Sequence, residues 1–228
     1  MSSHYYKNQL YPLQDKVMQL MGQVDSPFYL TGGTLLGRFI LHHRYSDDLD
    51  FFTNSNKDFL KEIDAVMKPV FKEIQQVELV TRQDSYVRYM VTEKQVDLKI
   101  EFVNDVMYTV EEKLKMVSGI KFDHWKNVLS NKVTALSRIA AKDFVDILFL
   151  SHAYSFNWEE IIDQAKMKDA SINEIDVSQY LYNFDLNRLN EVNFPETFNS
   201  RLINNDHFIL LAKESLHGFD NSLYGRNL

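Results

Sequence analysis

The sequence predicts an α+β fold in which a mixed β-sheet with flanking helices is followed by a C-terminal helical bundle. Two observations lead to this prediction. Strand-like and helical segments alternate in the first half of the 228-residue chain, whereas the hydrophobic spacing from about residue 109 onward is helical throughout.

There is no cysteine, so the fold has neither disulfides nor a thiolate metal site. We expect two domains, residues 1–115 and 116–228.

Elements of the sheet domain follow in order along the chain. The spacing predicts a helix over 7–22, a strand over 28–31, a helical segment over 34–43, a strand over 48–53 and a helix over 57–70. Three more strands are predicted over 76–82, 85–92 and 95–103, with short polar joins that suit antiparallel hairpins. In the bundle, Asn157 has the position of an N-cap, with Glu160 at the third helical position.

Composition excludes some functional classes. The net charge is −7, which argues against indiscriminate nucleic-acid binding over the whole surface. The charge is uneven, because residues 111–142 hold seven basic residues against Glu111, Glu112 and Asp123. They form either a local positive band or a solvated helix face. No apolar run approaches ~18 residues and the N-terminus lacks a signal-peptide pattern, so we expect a cytoplasmic protein without a membrane segment. The seven basic residues within 111–142 are Lys113, Lys115, Lys121, Lys126, Lys132, Arg138 and Lys142.

Acidic residues interrupt an otherwise apolar strand at DDLDFF. Asp48 and Asp50 are two positions apart, so they share one face of the strand while Leu49 and Phe51 pack on the other. Like charges this close raise each other's pKa. A divalent cation reverses that effect, and hard carboxylate oxygens favour Mg²⁺. The alternative is a solvated strand end.

A third carboxylate is available on the last predicted strand. Glu101 lies on its polar face, and it can join Asp48 and Asp50 if this strand runs beside 48–53. Three such groups can hold two metal ions that clamp the attacking and leaving oxygens of a phosphoryl transfer. Glu101 would then either bind the second metal or remove the proton of the incoming hydroxyl. The alternative is an exposed strand face.

Small residues between the first strand and the next helix suit a phosphate group. Gly32, Gly33 and Thr34 end a strand and open a helix. Helix N-terminal N–H groups bind phosphate, glycine lets the backbone approach closely, and the threonine hydroxyl adds a donor. Alone, a Gly-Gly pair is more often an ordinary turn.

Two segments resemble a known family. TGGTLLGRFILHHRYSDDLDFF is similar to the signature of the nucleotidyltransferase fold, and its particular form resembles the AbiEii/AbiGii toxin family. NKVTALSRIAAKDFVDILFL, residues 131–150, resembles that family's later motif. The resemblance implies a nucleotidyltransferase-like sheet domain. It implies metal binding by Asp48 and Asp50, with Glu101 at the third carboxylate position. It implies nucleotide contacts from Gly32, Gly33, Thr34, Arg44 and Ser46, and a catalytic role for Lys132 and Asp143.

Simpler roles remain open for the residues of the later motif. Lys132 can be an ordinary surface lysine, and Asp143 an N-cap. For Asp146 we favour a structural pairing with Lys142 or Arg138.

The expected activity is Mg²⁺-dependent transfer of a nucleoside monophosphate from an NTP to a hydroxyl of RNA, such as the tRNA 3′ end, or of a protein. The resemblance also implies a toxin with a cognate antitoxin. One alternative is a transferase acting on a small molecule such as an antibiotic. Another is an inactive nucleotide-binding or interaction module, against which the intact Gly-Gly-Thr and Asp-x-Asp patterns argue.

Overall fold

The computed structural model describes residues 2–110, 114–115, 119–226 and 228. The chain forms two compact units. The first comprises Met1–Leu35 and Ser46–His124, and the second comprises Leu36–Tyr45 and Trp125–Leu228. A segment of the N-terminal half thus belongs to the helical unit. The domain boundary that we place after residue 115 stays a prediction.

A seven-stranded sheet forms the centre of the first unit, with strand order β3-β4-β5-β2-β1-β7-β6. The α+β prediction is confirmed. The expectation of helix throughout from about residue 109 is wrong for β6 and β7, because strands of two residues are too short to show a periodicity of two. The strands are β1 Tyr29–Thr31, β2 Leu49–Asn54, β3 Gln76–Arg82, β4 Tyr86–Glu93, β5 Val96–Asp105, β6 Leu114–Lys115 and β7 Lys121–Phe122.

Strand pairing places β2 at the middle of the sheet. β3, β4 and β5 are antiparallel neighbours, as predicted. β2 is antiparallel to β1 and parallel to β5. The β4–β5 turn uses Lys94 and Gln95 at φ 50° and 64°. Both central residues have positive φ, as in a type I′ hairpin, although neither is the glycine or asparagine that usually signals one.

Helices and strands of the first unit both contribute buried apolar residues to its core. The N-terminal helix runs through α1 Ser3–Tyr5, a π-helical segment Tyr6–Leu10 and α2 Tyr11–Met21. The glycine turn forms α3 Gly32–Thr34, and the chain continues as a π-helical segment Leu35–Ile40, which belongs to the second unit from Leu36 onward. The next helix is α4 Phe59–Glu73, whose buried face repeats at helical spacing. Its buried residues are Phe59, Ile63, Val66, Met67 and Val70.

Five helices build the second unit and confirm the predicted bundle. Three aromatic rings pack together in its core: the centroid of the Phe184 ring is 4.5 Å from that of Phe144 and 4.6 Å from that of Phe208. Asn157 caps its helix as predicted and accepts from the Glu160 N–H at 3.3 Å. The helices are α5 Trp125–Thr134, α6 Ala141–Ala153, α7 Trp158–Lys168, α8 Glu174–Tyr182 and α9 Asn205–His217, with 3-10 segments at Leu136–Arg138, Leu186–Glu191 and Ser200–Leu202.

The expected basic band is not one surface. Lys126 pairs with Glu160 at 2.5 Å, Lys121 donates to the Ser26 carbonyl at 2.8 Å, and Lys132 is buried. Within the described ranges, no helix has the length and apolarity needed to cross a membrane. Glu111, Glu112 and Lys113, which also belong to this charged stretch, lie outside the described residues. The side chain of Lys115 is likewise not described.

Candidate active site

Alternating burial along β2 holds its acidic side chains on one face. Leu49 and Phe51 are fully buried, whereas Asp50 and the preceding Asp48 are partly exposed. Because successive side chains of a strand point to opposite faces, the two apolar residues fix the direction of the acids. The predicted division of this stretch into an apolar face and an acidic face is confirmed.

Strand β5 brings a third carboxylate next to β2. The two strands are parallel, with Leu49 opposite Ile100 and Asp50 opposite Glu101. Burial alternates along β5 as it does along β2, so Glu101 lies on the partly exposed face. Strand β5 therefore runs beside β2, as the proposed role of Glu101 in the site required. Its role itself stays a prediction.

Lys99 lies between two of these carboxylates. Its Nζ is 2.9 Å from Asp48 Oδ2 and 3.2 Å from Glu101 Oε2. Although burial lowers the pKa of Lys99, the neighbouring Asp48 and Glu101 carboxylates raise it above its usual value. The acidic group thus contains a permanent positive charge, which our sequence analysis did not assign.

Glu101 is held by donors at both carboxylate oxygens. Oε1 accepts from the Tyr86 hydroxyl and from Arg88 Nε at 2.9 Å and Nη2 at 2.7 Å, while Oε2 faces Lys99. Burial raises the pKa of Glu101, but the hydrogen bonds from Tyr86 and Arg88 and the charge of Lys99 lower it to about 2. So weak a base is poorly matched to removing a proton at neutral pH. Its geometry instead suits a fixed negative charge.

The glycine turn contacts β2 directly. Gly32 has φ +68°, and a Cβ atom there would lie 2.7 Å from Asp50 Oδ2. Only glycine combines this backbone conformation with so close an approach. The buried Thr34 hydroxyl donates to the backbone carbonyl of Asp48, so a phosphate contact from that hydroxyl requires this bond to break. Among the described residues, no side chain makes a capping hydrogen bond to the first turn of α3.

Gln14 fixes the loop that leads into β2. Its side chain is fully buried, and Nε2 donates to the carbonyls of Ser46 at 3.3 Å and Asp47 at 3.2 Å. Ser46 is partly exposed, and a nucleotide contact from its hydroxyl stays a prediction.

A second charged cluster lies inside the helical unit, around Asp146. This carboxylate is fully buried and accepts from Arg44 Nε at 2.6 Å and Nη2 at 2.7 Å. His43 Nε2 is 2.8 Å away, and Lys132 Nζ is 2.6 Å away. The expectation of a structural pairing is met, but the predicted partners, Lys142 and Arg138, are wrong.

Lys132 bridges Asp146 and Asp143. Its Nζ is 2.7 Å from Asp143 Oδ1, and the exposed Arg138 lies 3.1 Å from Asp143 Oδ2. The side chain of Lys132 is only 9% exposed, so it is not an ordinary surface lysine. Asp143 is not an N-cap, because Ala140 has that position in α6. The catalytic roles of Lys132 and Asp143 stay predictions.

Within this cluster, burial and neighbouring charges shift the pKa values of Asp146 and Lys132 in opposite directions. Burial raises the pKa of Asp146, yet Arg44, Lys132 and His43 hold it well below its usual range. Burial lowers the pKa of Lys132, but Asp146 and Asp143 raise it. For His43 burial dominates and lowers the pKa, and Nδ1 of its ring has no hydrogen-bond partner among the described residues.

Arg44 is engaged within this cluster. Besides its two contacts with Asp146, Nη1 donates to the Tyr45 carbonyl at 3.0 Å, and the residue is only 4% exposed. These contacts give Arg44 a structural role, and its nucleotide contact stays a prediction. Sequence reasoning missed the partnership with Asp146 because the two residues are 102 positions apart.

Predicted site residues thus assemble separately within the two units. In the first unit, Gly32, Asp48, Asp50 and Glu101 come together on and beside β2. The second unit holds Lys132 and Asp143.

The acidic residues of the first unit suit a hard cation by their chemistry. In the part of the chain that the structure describes, no three histidine, cysteine, aspartate or glutamate side chains are arranged as a metal site as they stand. Asp48 and Glu101 nevertheless already share one cation, the ammonium group of Lys99. Carboxylate oxygens are the ligands that Mg²⁺ prefers. The candidate ligands are therefore Asp48 and Asp50, with Glu101 beside them.

Comparison with solved structures shows the same fold. JHP933 from Helicobacter pylori has a TM-score of 0.60 at 18% identity, over 92% of this chain and 93% of that one. A proposed nucleotidyltransferase from H. pylori has a TM-score of 0.59 at 19% identity, over 92% and 96%. A search of curated proteins found no match.

A family comparison covers both motifs and most of the bundle. Residues 20–214 match the family described as nucleotidyl transferase AbiEii toxin of type IV toxin–antitoxin systems. The match includes the glycine turn, the acidic strand β2, and the Lys132 and Asp143 motif. The chain therefore belongs to the AbiEii family of nucleotidyltransferase toxins.

Proposed function

We propose that this nucleotidyltransferase transfers a nucleoside monophosphate from an NTP to a hydroxyl of RNA, with the tRNA 3′ end as the first candidate. It acts in the cytoplasm, where both substrates occur, as the toxin of a pair with a cognate antitoxin. The observation that carries the proposal is the alignment of Asp50 with Glu101 on adjacent parallel strands, directly beside the Gly32 turn.

Magnesium is the cofactor we propose, with Asp48 and Asp50 as its ligands and Glu101 adjacent. When bound, Mg²⁺ supplies positive charge that offsets the negative charge of the phosphates. The support is the oxygen-only donor set and the cation that two of these carboxylates already share.

Residues of the chain itself bind and orient the nucleotide in this proposal. Gly32 and Gly33 allow phosphate oxygens to approach the backbone N–H groups of the uncapped first turn of α3. In the reaction, the acceptor hydroxyl oxygen forms a bond to the α-phosphorus and releases its proton to water, while the bond from the α-phosphorus to the pyrophosphate oxygen breaks and pyrophosphate leaves. Lys132, which Asp143 and Asp146 hold in one position, offsets charge on the departing pyrophosphate. Positioning and charge neutralisation provide most of the rate enhancement.

RNA is favoured over protein as the acceptor by the charges near α6. Arg138 and Lys142 are both exposed and precede Asp143 in the chain. Exposed cations of this kind suit the phosphates of an RNA backbone. A small-molecule acceptor remains the alternative activity.

The test is label transfer from each α-labelled NTP in Mg²⁺ buffer. Total tRNA, total cell protein and a panel of antibiotics are offered separately as acceptors. We expect label on tRNA with the wild-type chain, and loss of at least ~10²-fold with Asp48→Asn or Asp50→Asn, because each removes a carboxylate charge at the candidate metal site. Asp47→Asn is the matched control, since Asp47 is exposed and adjacent but outside the site.

Each result identifies one activity. Label on protein or on an antibiotic replaces the RNA acceptor by that class, and growth arrest on expression separates a toxin from an antibiotic-modifying enzyme. No label on any acceptor with any NTP would leave the inactive binding module.

A further inference from the structure

Lys99 is a charged residue at the centre of the acidic group that the proposed reaction does not use. Its ammonium group contacts Asp48 at 2.9 Å and Glu101 at 3.2 Å. An ammonium group is a compact cation with three donors, so it occupies the kind of position that a small metal ion takes between carboxylates.

We propose that Lys99 is a built-in counter-ion of this site, which holds Asp48 and Glu101 together in the metal-free protein and competes with a divalent cation for Asp48. The proposal rests on the metal-binding role of Asp48 in the proposed function.

The sheet fixes Lys99 in this position. Its neighbours in β5, Leu98 and Ile100, are fully buried, so the lysine stem is directed to the opposite face. The parallel register then sets the partner, because Ile100 lies opposite Leu49 and Asp48 immediately precedes Leu49. The contact therefore follows from the pairing of β2 with β5, which begins at the residue directly after Asp48.

The two carboxylates depend on Lys99 to different degrees. Glu101 keeps Arg88 and the Tyr86 hydroxyl on Oε1 when Lys99 is removed. For Asp48, Lys99 is the only ion-pair partner among the described residues. Neutralising Lys99 therefore leaves Asp48 as the uncompensated charge, and this is the residue that the metal needs.

Competition follows from electrostatics. A divalent cation arriving at Asp48 must either displace the ammonium group or bind beside it, and like charges a few ångströms apart repel strongly at a half-buried site. In both cases the presence of Lys99 weakens metal binding. The resting protein thus keeps its carboxylates in place without metal, at the expense of affinity for the free ion.

The experiment measures Mn²⁺ binding to the whole chain without nucleotide, by electron paramagnetic resonance of the free ion. Lys99→Met keeps the length of the side chain and removes the charge. We expect it to bind Mn²⁺ about tenfold more tightly than the wild type, or better, and to gain more in Tm from added Mn²⁺. Without metal its Tm falls, because Asp48 has lost its counter-ion.

Lys16→Met is the matched control. Lys16 is a partly exposed lysine of the same unit, paired with Glu93 at 2.5 Å outside the acidic site. It should bind Mn²⁺ as the wild type does. If circular dichroism shows that Lys99→Met folds poorly, Lys99→Gln replaces it, and Lys99→Arg, which keeps the charge, should retain the weak affinity.

Equal or weaker Mn²⁺ affinity in a folded, neutral Lys99 variant would overturn the proposal, and so would undetectable binding in both proteins. The assay involves no turnover. Failure of the label-transfer test together with tighter Mn²⁺ binding in the variant would therefore count against the proposed reaction and leave the role of Lys99 intact.

Discussion

Gly32 and Asp50 approach so closely that a Cβ atom on the glycine would lie 2.7 Å from the aspartate Oδ2. The turn that would bind phosphate and the strand that would bind metal are therefore in direct contact. Gly32 also has φ +68°, a backbone conformation that residues other than glycine rarely adopt. Gly32 thus allows the turn to form and also leaves space for the carboxylate of Asp50.

Substitution of Gly32 by alanine should reduce both activity and stability. The added Cβ must push Asp50 away, and a shift of about 1 Å in a reacting group can cost ~10²-fold in rate. We expect a loss of about that size in nucleotidyl transfer. The unfolding free energy should fall by about 1–3 kcal/mol from the strained backbone. Initial rates and urea unfolding provide the two measurements.

Gly225→Ala separates these two effects. Gly225 has φ +75°, but a Cβ there would meet no atom of the described residues within 4 Å. This variant should show a backbone cost while keeping the wild-type rate. Equal loss of activity in both variants would show that contact with Asp50 is not the cause.

Local patterns allowed part of the site to be predicted from the sequence. Alternation along β2 depends on adjacent residues, so the common face of Asp48 and Asp50 was visible before the structure. Pairing between strands depends on residues far apart in sequence. The position of Glu101 opposite Asp50 could therefore not be predicted, and its role was made conditional on that pairing. Lys99 was visible on the polar face of β5, but no sequence pattern indicates which carboxylates an amine will contact. The pairing of Arg44 with Asp146 was not predicted for the same reason, because the two residues are distant in sequence.

The buried Asp146 should be essential for folding of the helical unit. Asp146→Asn keeps the shape but removes the negative charge that compensates Arg44 and Lys132. Breaking a buried ion pair by removing one partner costs about 3–5 kcal/mol. We expect a decrease of that size in the unfolding free energy, measured by denaturant titration.

Asp64→Asn provides the comparison. Arg82 also makes two hydrogen bonds to Asp64, both of 2.9 Å, but the Asp64 side chain is 59% exposed. Exposed pairs contribute about 0–1 kcal/mol. If the two variants lost similar stability, burial would not be what makes the Asp146 cluster important.

Lys168 should stabilise the packing of α7 on α5. Its Nζ contacts Asn127 Oδ1 at 2.7 Å, Ser130 Oγ at 2.6 Å and Asn131 Oδ1 at 2.5 Å. Lys168→Met removes the ammonium donor that these side chains share, which should cost about 1–3 kcal/mol. Lys166→Met, two residues away with surface ion pairs, should change the unfolding free energy by less than about 1 kcal/mol. Thermal and urea unfolding of both variants test this, and equal losses would contradict it.

Acid should destabilise the protein in two stages, and His43 contributes to the first. Burial lowers the pKa of His43 below its usual 6.5, so the unfolded chain takes up this proton at a higher pH than the folded chain. Stability from this residue is therefore lost as the pH falls below about 6.5. Asp146 has its pKa held well below 3.8, so its contribution is complete above that pH and is lost on further acidification.

Urea unfolding between pH 8 and pH 3 measures both stages. His43→Gln keeps a side-chain N–H that can donate to Asp146 and cannot titrate, so the slope between pH 7 and pH 5 should decrease by up to ~1.4 kcal/mol per pH unit. It should not vanish, because burial also lowers the pKa of His152 and His207. His4→Gln, at an exposed position, is the matched control. An unchanged slope in His43→Gln would mean that the buried imidazole takes up its proton equally well in the folded and unfolded chains.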